Sequence, residues 1–500
     1  MIRNEVGKGA IYLYLQLISS MVSGYIFLIL LARITTTEII GTFSLLVSFS
    51  EIFANIAIIG LPDSIQKFVG KSFLQNSPED AKVFVKIAFL LLSGGIIMSS
   101  VMILFTKDWI SDVFGINFNL LIVADLLLTS YAIYAILYAI VIASLKTKVL
   151  PIIIIISSIG KVTLGLTLII SGYGIIGLTL GYTFFGQILS SMLLGFYIIK
   201  IFKASTKIAK AVVTFRNGFK SLLVGGLVVW IPVLITTLGI DLGTLVLYST
   251  YGAYQSGVYF IALAIANAVN AVVYSILTIS LPVLSSMSDG RKRFVWQTIR
   301  IGAIMALPLS TSIIFYSDDV MNLIGSNYKS GALSLQILLT STFPLIVLSG
   351  VETLVYSYGQ YRHTLIINLT SSIPRTVLYF ALVPILGMTG VAISFTIGSV
   401  IGFIASIIVA KKIKLFIFWK PLVLTLFVPL SIAGLLATLH VNYIIGIIIT
   451  IIVTYLLLMK LHVIDKADGS FFIGLLPDKV SKPLITMSNK IEKIIDWFYD

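Results

Sequence analysis

The sequence predicts an all-α polytopic membrane protein of about fourteen transmembrane helices. Three observations carry that reading: its apolar content, the lengths of its apolar runs and the placement of its basic residues. Of 500 residues, 58% are hydrophobic and only 11% charged, and the mean hydropathy is +1.08. No water-soluble domain could cover such a chain with polar surface. Runs of about 20 apolar residues, each long enough for a hydrocarbon core of roughly 30 Å, begin near Gly9, Ile39, Val83, Asn119, Leu150, Gly174 and Ser221. They continue from Ser256, Ile299, Gly331, Thr364, Gly387, Pro421 and Tyr443. The first follows Arg3 and Lys8, but it is too long for a signal-peptide core and no small-residue cleavage site follows it, so it reads as a span.

A net charge of +14 raises the question of nucleic acid, and the distribution of charge answers it. With the N-terminus inside, the cytoplasmic segments hold all but five of the 34 Lys and Arg. Arg33, Lys107 and Lys329 fall outside; Lys161 and Arg375 fall within spans. Inverting the topology would put almost every basic residue on the wrong side. The charge therefore orients a multi-pass cell-membrane protein with both termini cytoplasmic. Its expected partner is anionic lipid and not nucleic acid, and a monomer is the favoured state.

An internal repeat organises the spans. GYGIIGLTLGYT, Gly172 to Thr183, aligns with PILGMTGVAISFT, Pro384 to Thr396, through Gly174/Gly387, Gly177/Gly390 and Thr183/Thr396. EIIGTF, Glu38 to Phe43, aligns with YQSGVY, Tyr254 to Tyr259, at nearly the same offset and sets Gly41 opposite Gly257. Six spans per half make the repeats parallel. The expected organisation is a lobe over residues 1–200, a linker over 201–220, a second lobe over 221–412, two further spans over 413–460 and a tail over 461–500. The linker puts Lys203, Lys207 and Lys210 on one helical face and Phe202, Ile208, Val212 and Phe215 largely on others, as an amphipathic helix on the inner membrane surface does. The tail repeats the pattern, with Leu484, Met487, Ile491, Ile494 and Phe498 at helical spacing beside Lys490, Glu492, Lys493 and Asp496.

These halves resemble the lobes of the multidrug/oligosaccharidyl-lipid/polysaccharide exporter superfamily, and most of all its polysaccharide branch, the Wzx-type flippases of lipid-linked oligosaccharides. The resemblance rests on EIIGTFSLLVSFS, GLPDSIQKFVGK, Asp241 late in the seventh span, QSGVYFIALAIANAV, LPVLSS, LIGSNYKSGALSLQIL and LVPILGMTGVAIS, in family order over residues 1–412. It implies a V-shaped carrier that moves the polar head of an amphiphile between leaflets by alternating access. Fourteen spans depart from twelve, a departure also met among lipid II flippases and some polysaccharide exporters.

Substrate has to be argued from the site. Lys161 lies about eleven residues into its span, roughly 16 Å deep at 1.5 Å per residue, where a charge costs about 2.5 to 3.5 kcal/mol on insertion scales. Arg375, one residue from its repeat-mate position, lies at similar depth in LTSSIPRTVLYF. Two cations facing one cavity call for an anionic guest, and a polyprenyl phosphate or diphosphate beside its sugars supplies one. The competing reading pairs each cation with a carboxylate, Glu51 at mid-depth first. Glu51 and Asp125 are also the candidates for coupling to protons or sodium. Asp241 and Glu352 are expected near helix ends, within reach of water. Tyr131, Tyr134 and Tyr138 share one helical face and either stack on sugars or pack helices; Arg33, at the outer mouth of the first span, either lines the exit or anchors to head groups. Pro232, Pro344 and Pro374 are expected to kink their spans.

The absences exclude several classes. There is no P-loop and no Gly-x-Ser-x-Gly elbow; His363, His440 and His462 show no zinc spacing, and there is no cysteine. No cofactor, metal or catalytic residue is expected. A cation antiporter of the same superfamily is the nearer alternative to a lipid-linked oligosaccharide flippase, and a glycosyl polymerase or ligase the more distant one.

Overall fold

The structure is a computed structural model that describes residues 2–75, 77–204, 213–287 and 289–464. Residues 205–212 of the expected linker helix and the whole tail helix lie outside the described residues. Among the described residues all regular structure is helical, as lipid requires of a spanning chain whose backbone groups can find no water.

In chain order the helices are α1 (Ile2–Ile34), α2 (Thr37–Ile58), α3 (Leu61–Leu74), α4 (Pro78–Phe105), α5 (Lys107–Phe114), α6 (Phe118–Ala143), α7 (Leu150–Leu168), α8 (Gly174–Thr183) and α9 (Ser190–Ala204). Then come α10 (Phe215–Ser286), α11 (Arg291–Phe315), α12 (Ser317–Ile324), α13 (Ala332–Thr340), α14 (Thr342–Ser357), α15 (Tyr361–Leu386), α16 (Met388–Lys412), α17 (Trp419–Thr438) and α18 (Tyr443–Lys460). Short π-helical turns at Ile169–Tyr173 and Phe184–Leu189 flank α8. Several starts are written locally. Asn117 accepts the Leu120 N–H at 3.1 Å and Asn442 the Ile444 N–H at 3.0 Å, while proline occupies the first turn of α3, α4 and α7, where its missing N–H costs nothing.

Among the described residues, eleven stretches are long and apolar enough to cross a bilayer, against fourteen expected. Two of them, Thr147–Lys203 and Phe215–Leu277, are 57 and 63 residues long, about twice what one crossing takes. Each is broken by a glycine at positive φ, Gly172 in the first and Gly252 in the second. Helix α1 adds the shorter apolar stretch Val22–Ile34. Pro344 sits where α13 gives way to α14, as an interrupting proline should, whereas α10 and α15 continue through Pro232 and Pro374.

The chain forms two compact units, one of residues 1–260 with 376–388, the other of residues 261–375 with 389–500. In the first, α1 packs on α7, α3 and α2 on α6, and both on α4. Its core is aliphatic, centred on the fully buried Leu46, Ile65, Ile87, Leu128 and Ile136. In the second, α11 is the hub for α13, α14, α17 and α18. Phe315 and Tyr316, at the end of α11, sit against Gly434 of α17 and Gly446 of α18, which is how the two helices beyond the repeat dock.

Two glycines aligned in the repeat strings meet in the first unit. Gly41 of α2 and Gly257 of α10 face each other: a Cβ on Gly41 would meet the Ala253 carbonyl, and a Cβ on Gly257 would meet the Thr37 carbonyl. The contact is reciprocal, each glycine facing the carbonyl four residues before the other. Gly174 and Gly387, aligned in the other repeat string, both take positive φ, 53° and 56°.

Candidate functional site

Helix α6 carries Tyr131, Tyr134 and Tyr138 at offsets of three and seven, and the structure puts all three on the wall of one cavity of about 450 Å³ in the first unit. Six helices build it. Gln16 and Ser20 come from α1, Asn55 and Ile58 from α2, Pro62, Asp63 and Gln66 from α3, Ile154 from α7, and Trp230 and Val233 from α10. Because α2 and α6 end near this cavity and α3 and α7 begin near it, it lies toward one end of the unit. Its volume falls within the roughly 300–1,000 Å³ of ordinary small-molecule sites.

The lining is held in place before any ligand arrives. Tyr134 and Tyr138 stack with centroids 5.8 Å apart. The Tyr138 hydroxyl donates to Gln16 Oε1 at 2.7 Å, and the Trp230 indole N–H donates to the Asn55 backbone carbonyl at 2.7 Å. The Asn55 amide in turn donates to the Glu51 carbonyl at 2.9 Å. Among the described residues no Lys, Arg or His lines the cavity, and Asp63 is the charged side chain that does.

Lys161 lies seven residues beyond Ile154 on α7, two turns and roughly 10 Å further along the same face. It is half-buried, with its ammonium 5.1 Å from the Phe27 ring centroid and 4.9 Å from that of Tyr182. Those faces offset part of the cost of a desolvated cation. Among the described residues no carboxylate lies within 4 Å of it. The pairing of Lys161 with Glu51 weighed from the sequence is therefore not made in this conformation.

Glu51 lies on the other flank of Tyr182. With Tyr131, Tyr182, Ser50 and Gln187 it lines a small void of about 10 Å³, about the size that one water needs. Asp241, expected near a helix end, is instead an electrostatic neighbour of Glu51 and accepts a hydrogen bond from Ser48. The reason is that α10 continues well past Asp241, to its break at Gly252. Asp125 lies apart from this group and accepts from Ser100 at 2.7 Å. Arg33 closes the last turn of α1 and is exposed, favourably placed against the helix dipole.

Arg375 belongs to the second unit. It is 4% exposed, donates to Ser399 at 3.0 Å and stacks on Phe395 with its guanidinium carbon 4.1 Å from the ring centroid. Glu352, expected to reach water, accepts from Asn368 at 3.0 Å, because α14 and α15 face their polar side chains inward at that level. Gln16, Asn55, Gln66, Tyr182 and Trp230 were not singled out in the sequence. Gln16, Asn55, Tyr182 and Trp230 are lone polar or aromatic residues in apolar stretches and Gln66 is one of several polar residues of α3, and only the fold brings them together.

A tyrosine-lined cavity, a cation within a span and buried carboxylates thus lie in an all-helical bundle with eleven membrane-length stretches among the described residues. The family model described as polysaccharide biosynthesis protein matches residues 6–288, more than half the chain, and the chain belongs to that family. Its fold is shared by solved structures of the multidrug/oligosaccharidyl-lipid/polysaccharide exporter superfamily. The lipid II flippase MurJ, in an inward closed conformation, matches with a TM-score of 0.62 at 18% identity, over 85% of this chain and 96% of that one. A multidrug resistance MATE family transporter, inward-facing, matches with 0.57 at 15%, over 81% and 94%; a MATE in complex with MaL6 matches with 0.59 at 14%, over 82% and 96%. No curated protein sequence matches the chain. The chain is thus a multi-pass membrane protein of the polysaccharide biosynthesis family with the fold of these structures.

Proposed function

We propose that the chain is a flippase that takes a polyprenyl-phosphate- or diphosphate-linked oligosaccharide from the inner leaflet to the outer by alternating access. The supporting observation is the pairing, along one face of α7, of a tyrosine-lined cavity with Lys161 beyond it. A guest that presents sugars to aromatic rings and amides, and a phosphate to an ammonium about 10 Å away, satisfies both. The cavity end of the unit is taken as cytoplasmic, from the basic residues, so the lipid tail stays in the bilayer while the head enters. Arg375 would meet the phosphate only in a conformation that releases it from Ser399 and Phe395; Arg33 would border the exit. The family's description and the flippase fold agree with this reading.

The test is binding of a polyprenyl-diphosphate oligosaccharide to purified protein in nanodiscs, at matched ionic strength, for wild type and the Lys161→Gln, Arg375→Gln double variant. Selective binding lost in a folded double variant supports the reading; equal binding sinks it.

A second reading has its own observation. Glu51 and Asp241 are neighbouring carboxylates in the membrane-embedded part of the first unit, and among the described residues neither has a cation within 4 Å. Such a pair suits a proton or sodium ion that drives transport, in a flippase or in a cation antiporter; Asp125, held by Ser100, is the other coupling candidate. Uptake of a cationic dye driven by an imposed ion gradient, absent in Glu51→Gln, would favour the antiporter.

A further inference from the structure

Helix α16 ends at Lys412 and α17 begins at Trp419, and the segment between them turns cations and aromatic rings outward together. The helix closes on a left-handed turn at Lys414, φ 57°, where the Leu415 N–H donates to the Ala410 carbonyl at 2.8 Å, a helix end that glycine ordinarily makes. That turn buries Leu415 and leaves Lys414, Phe416, Phe418, Trp419 and Lys420 at the surface, with Phe416 79% and Phe418 60% exposed. Phe418 packs on Trp296 of α11 with ring centroids 5.3 Å apart. Lys292 and Arg293 precede Trp296 by four and three residues, one turn back on the same side of that helix. All of these residues belong to the second unit. We infer that this face binds an anionic phospholipid, with the head group between the loop lysines and the start of α11 and the acyl chains against Phe416 and Phe418. The flippase reading plays no part in it.

The chemistry selects the occupant. Rings as exposed as Phe416 and Phe418 are costly in water and well placed among acyl chains, while tryptophan suits the head-group boundary. Among the described residues no carboxylate lies within 4 Å of Lys292, Arg293, Lys414 or Lys420. Asp289, the acid that precedes α11, is exposed and accepts the Gly290 N–H at 2.7 Å. A soluble anion would satisfy the cations and leave the rings in water, and a zwitterionic lipid would cover the rings but bring a cation of its own. A lipid of net negative charge meets both needs, and each Lys or Arg beside an anionic surface strengthens binding about fivefold. The place in the fold gives such a lipid a use. Helix α17 packs on α11, and at the far end of α11 Phe315 and Tyr316 sit against Gly434 and Gly446. A lipid that bridges the start of α11 and the loop before α17 holds the same helices at the near end.

The experiment titrates phosphatidylglycerol or phosphatidylcholine into the full chain in neutral detergent and reads the fraction of protein that carries lipid by native mass spectrometry. Wild type is expected to retain phosphatidylglycerol at a concentration about tenfold or more below that for phosphatidylcholine, and excess glycerol phosphate is expected to leave the lipid bound. In the fourfold variant Lys292→Gln, Arg293→Gln, Lys414→Gln, Lys420→Gln that preference falls by about fivefold or more. In Lys67→Gln, Lys71→Gln, Lys146→Gln, Lys148→Gln, which removes equal charge from exposed positions of the first unit, it stays near wild type. Equal retention of the two lipids by wild type overturns the inference. So does an equal loss in both fourfold variants, which makes the effect one of net charge, and so does displacement by glycerol phosphate, which makes the site one for soluble anions. The exposed pair Lys414→Gln, Lys420→Gln decides the matter should the first fourfold variant not fold: its preference falls, or the inference does.

Discussion

Replacing Gly41 with alanine tests the repeat at its point of contact. In a helix interior alanine is favoured over glycine by about 1 kcal/mol, so with room to spare the substitution would stabilise α2. There is no room. The new methyl group would fall on the Ala253 carbonyl and stand 2.9 Å from the Gly257 nitrogen, and both obstacles are backbone that cannot rotate away. Helices α2 and α10 must part by about an ångström or more, and overpacking of this kind costs about 1 to 3 kcal/mol. The net is a loss of up to about 2 kcal/mol, a fall of up to a few degrees in thermal midpoint. Gly257→Ala, which meets the Thr37 carbonyl, should cost about the same. The double variant is the sharper measurement. One separation of the helices relieves both clashes, so the second substitution should add less than the first, with a coupling of about 1 kcal/mol. Thermal unfolding of the four proteins in one detergent reads this directly. A stabilised single variant, or two losses that simply add, would refute the reciprocal packing.

Other predictions follow from the same geometry. Lys161→Gln removes a membrane cation that costs about 2.5 to 3.5 kcal/mol together with ring contacts that return about 2 kcal/mol, so its thermal midpoint should stay near wild type while affinity for a phosphate-bearing lipid falls at least tenfold. Arg375→Gln should behave oppositely in stability, losing about 1.5 to 3 kcal/mol with its charged hydrogen bond to Ser399, seen as a lower midpoint. Tyr138→Phe strips the buried Gln16 of its donor and should cost about 1 kcal/mol, with glycan binding weakened in the same protein. Gly387→Ala should destabilise more than Gly174→Ala: both force a side chain to positive φ, about 1 to 2 kcal/mol, but at Gly387 the methyl group also meets Gln255 whereas Gly174 faces open space.

Much of the fold was legible because a membrane imposes so few solutions. Apolar runs of bilayer length must be helices, and the asymmetry of Lys and Arg orients them. The tyrosines of α6 were legible for a similar reason, since offsets of three and seven put residues on one face whatever that face meets. The repeat glycines showed as short strings, and the structure supplied what strings cannot, that Gly41 and Gly257 touch. What stayed hidden was long-range. Glu51 and Asp241 are far apart in the chain and become neighbours only through the packing of α2 and α10. Asp241 looked like a helix-end residue because the apolar run weakens around it, yet the helix continues to Gly252. Gln16 and Trp230 carry no local signal, as single polar or aromatic residues in apolar spans are common, and Gln66 is one polar residue among several on α3. Arg375 and Lys161 looked equivalent by depth, and only their surroundings tell them apart, a guanidinium buried against Ser399 and Phe395 and an ammonium held by two rings.

The central claim is that a lipid-linked saccharide crosses the membrane through this protein with its phosphate at Lys161. Proteoliposomes that carry a polyprenyl-diphosphate oligosaccharide in the inner leaflet measure it directly, read as the fraction of glycan that becomes open to a membrane-impermeant glycosidase. The account predicts fast exposure with wild type and at least tenfold slower exposure with Lys161→Gln at equal reconstitution. Exposure no faster than in protein-free vesicles, or equally fast with the variant, would contradict it.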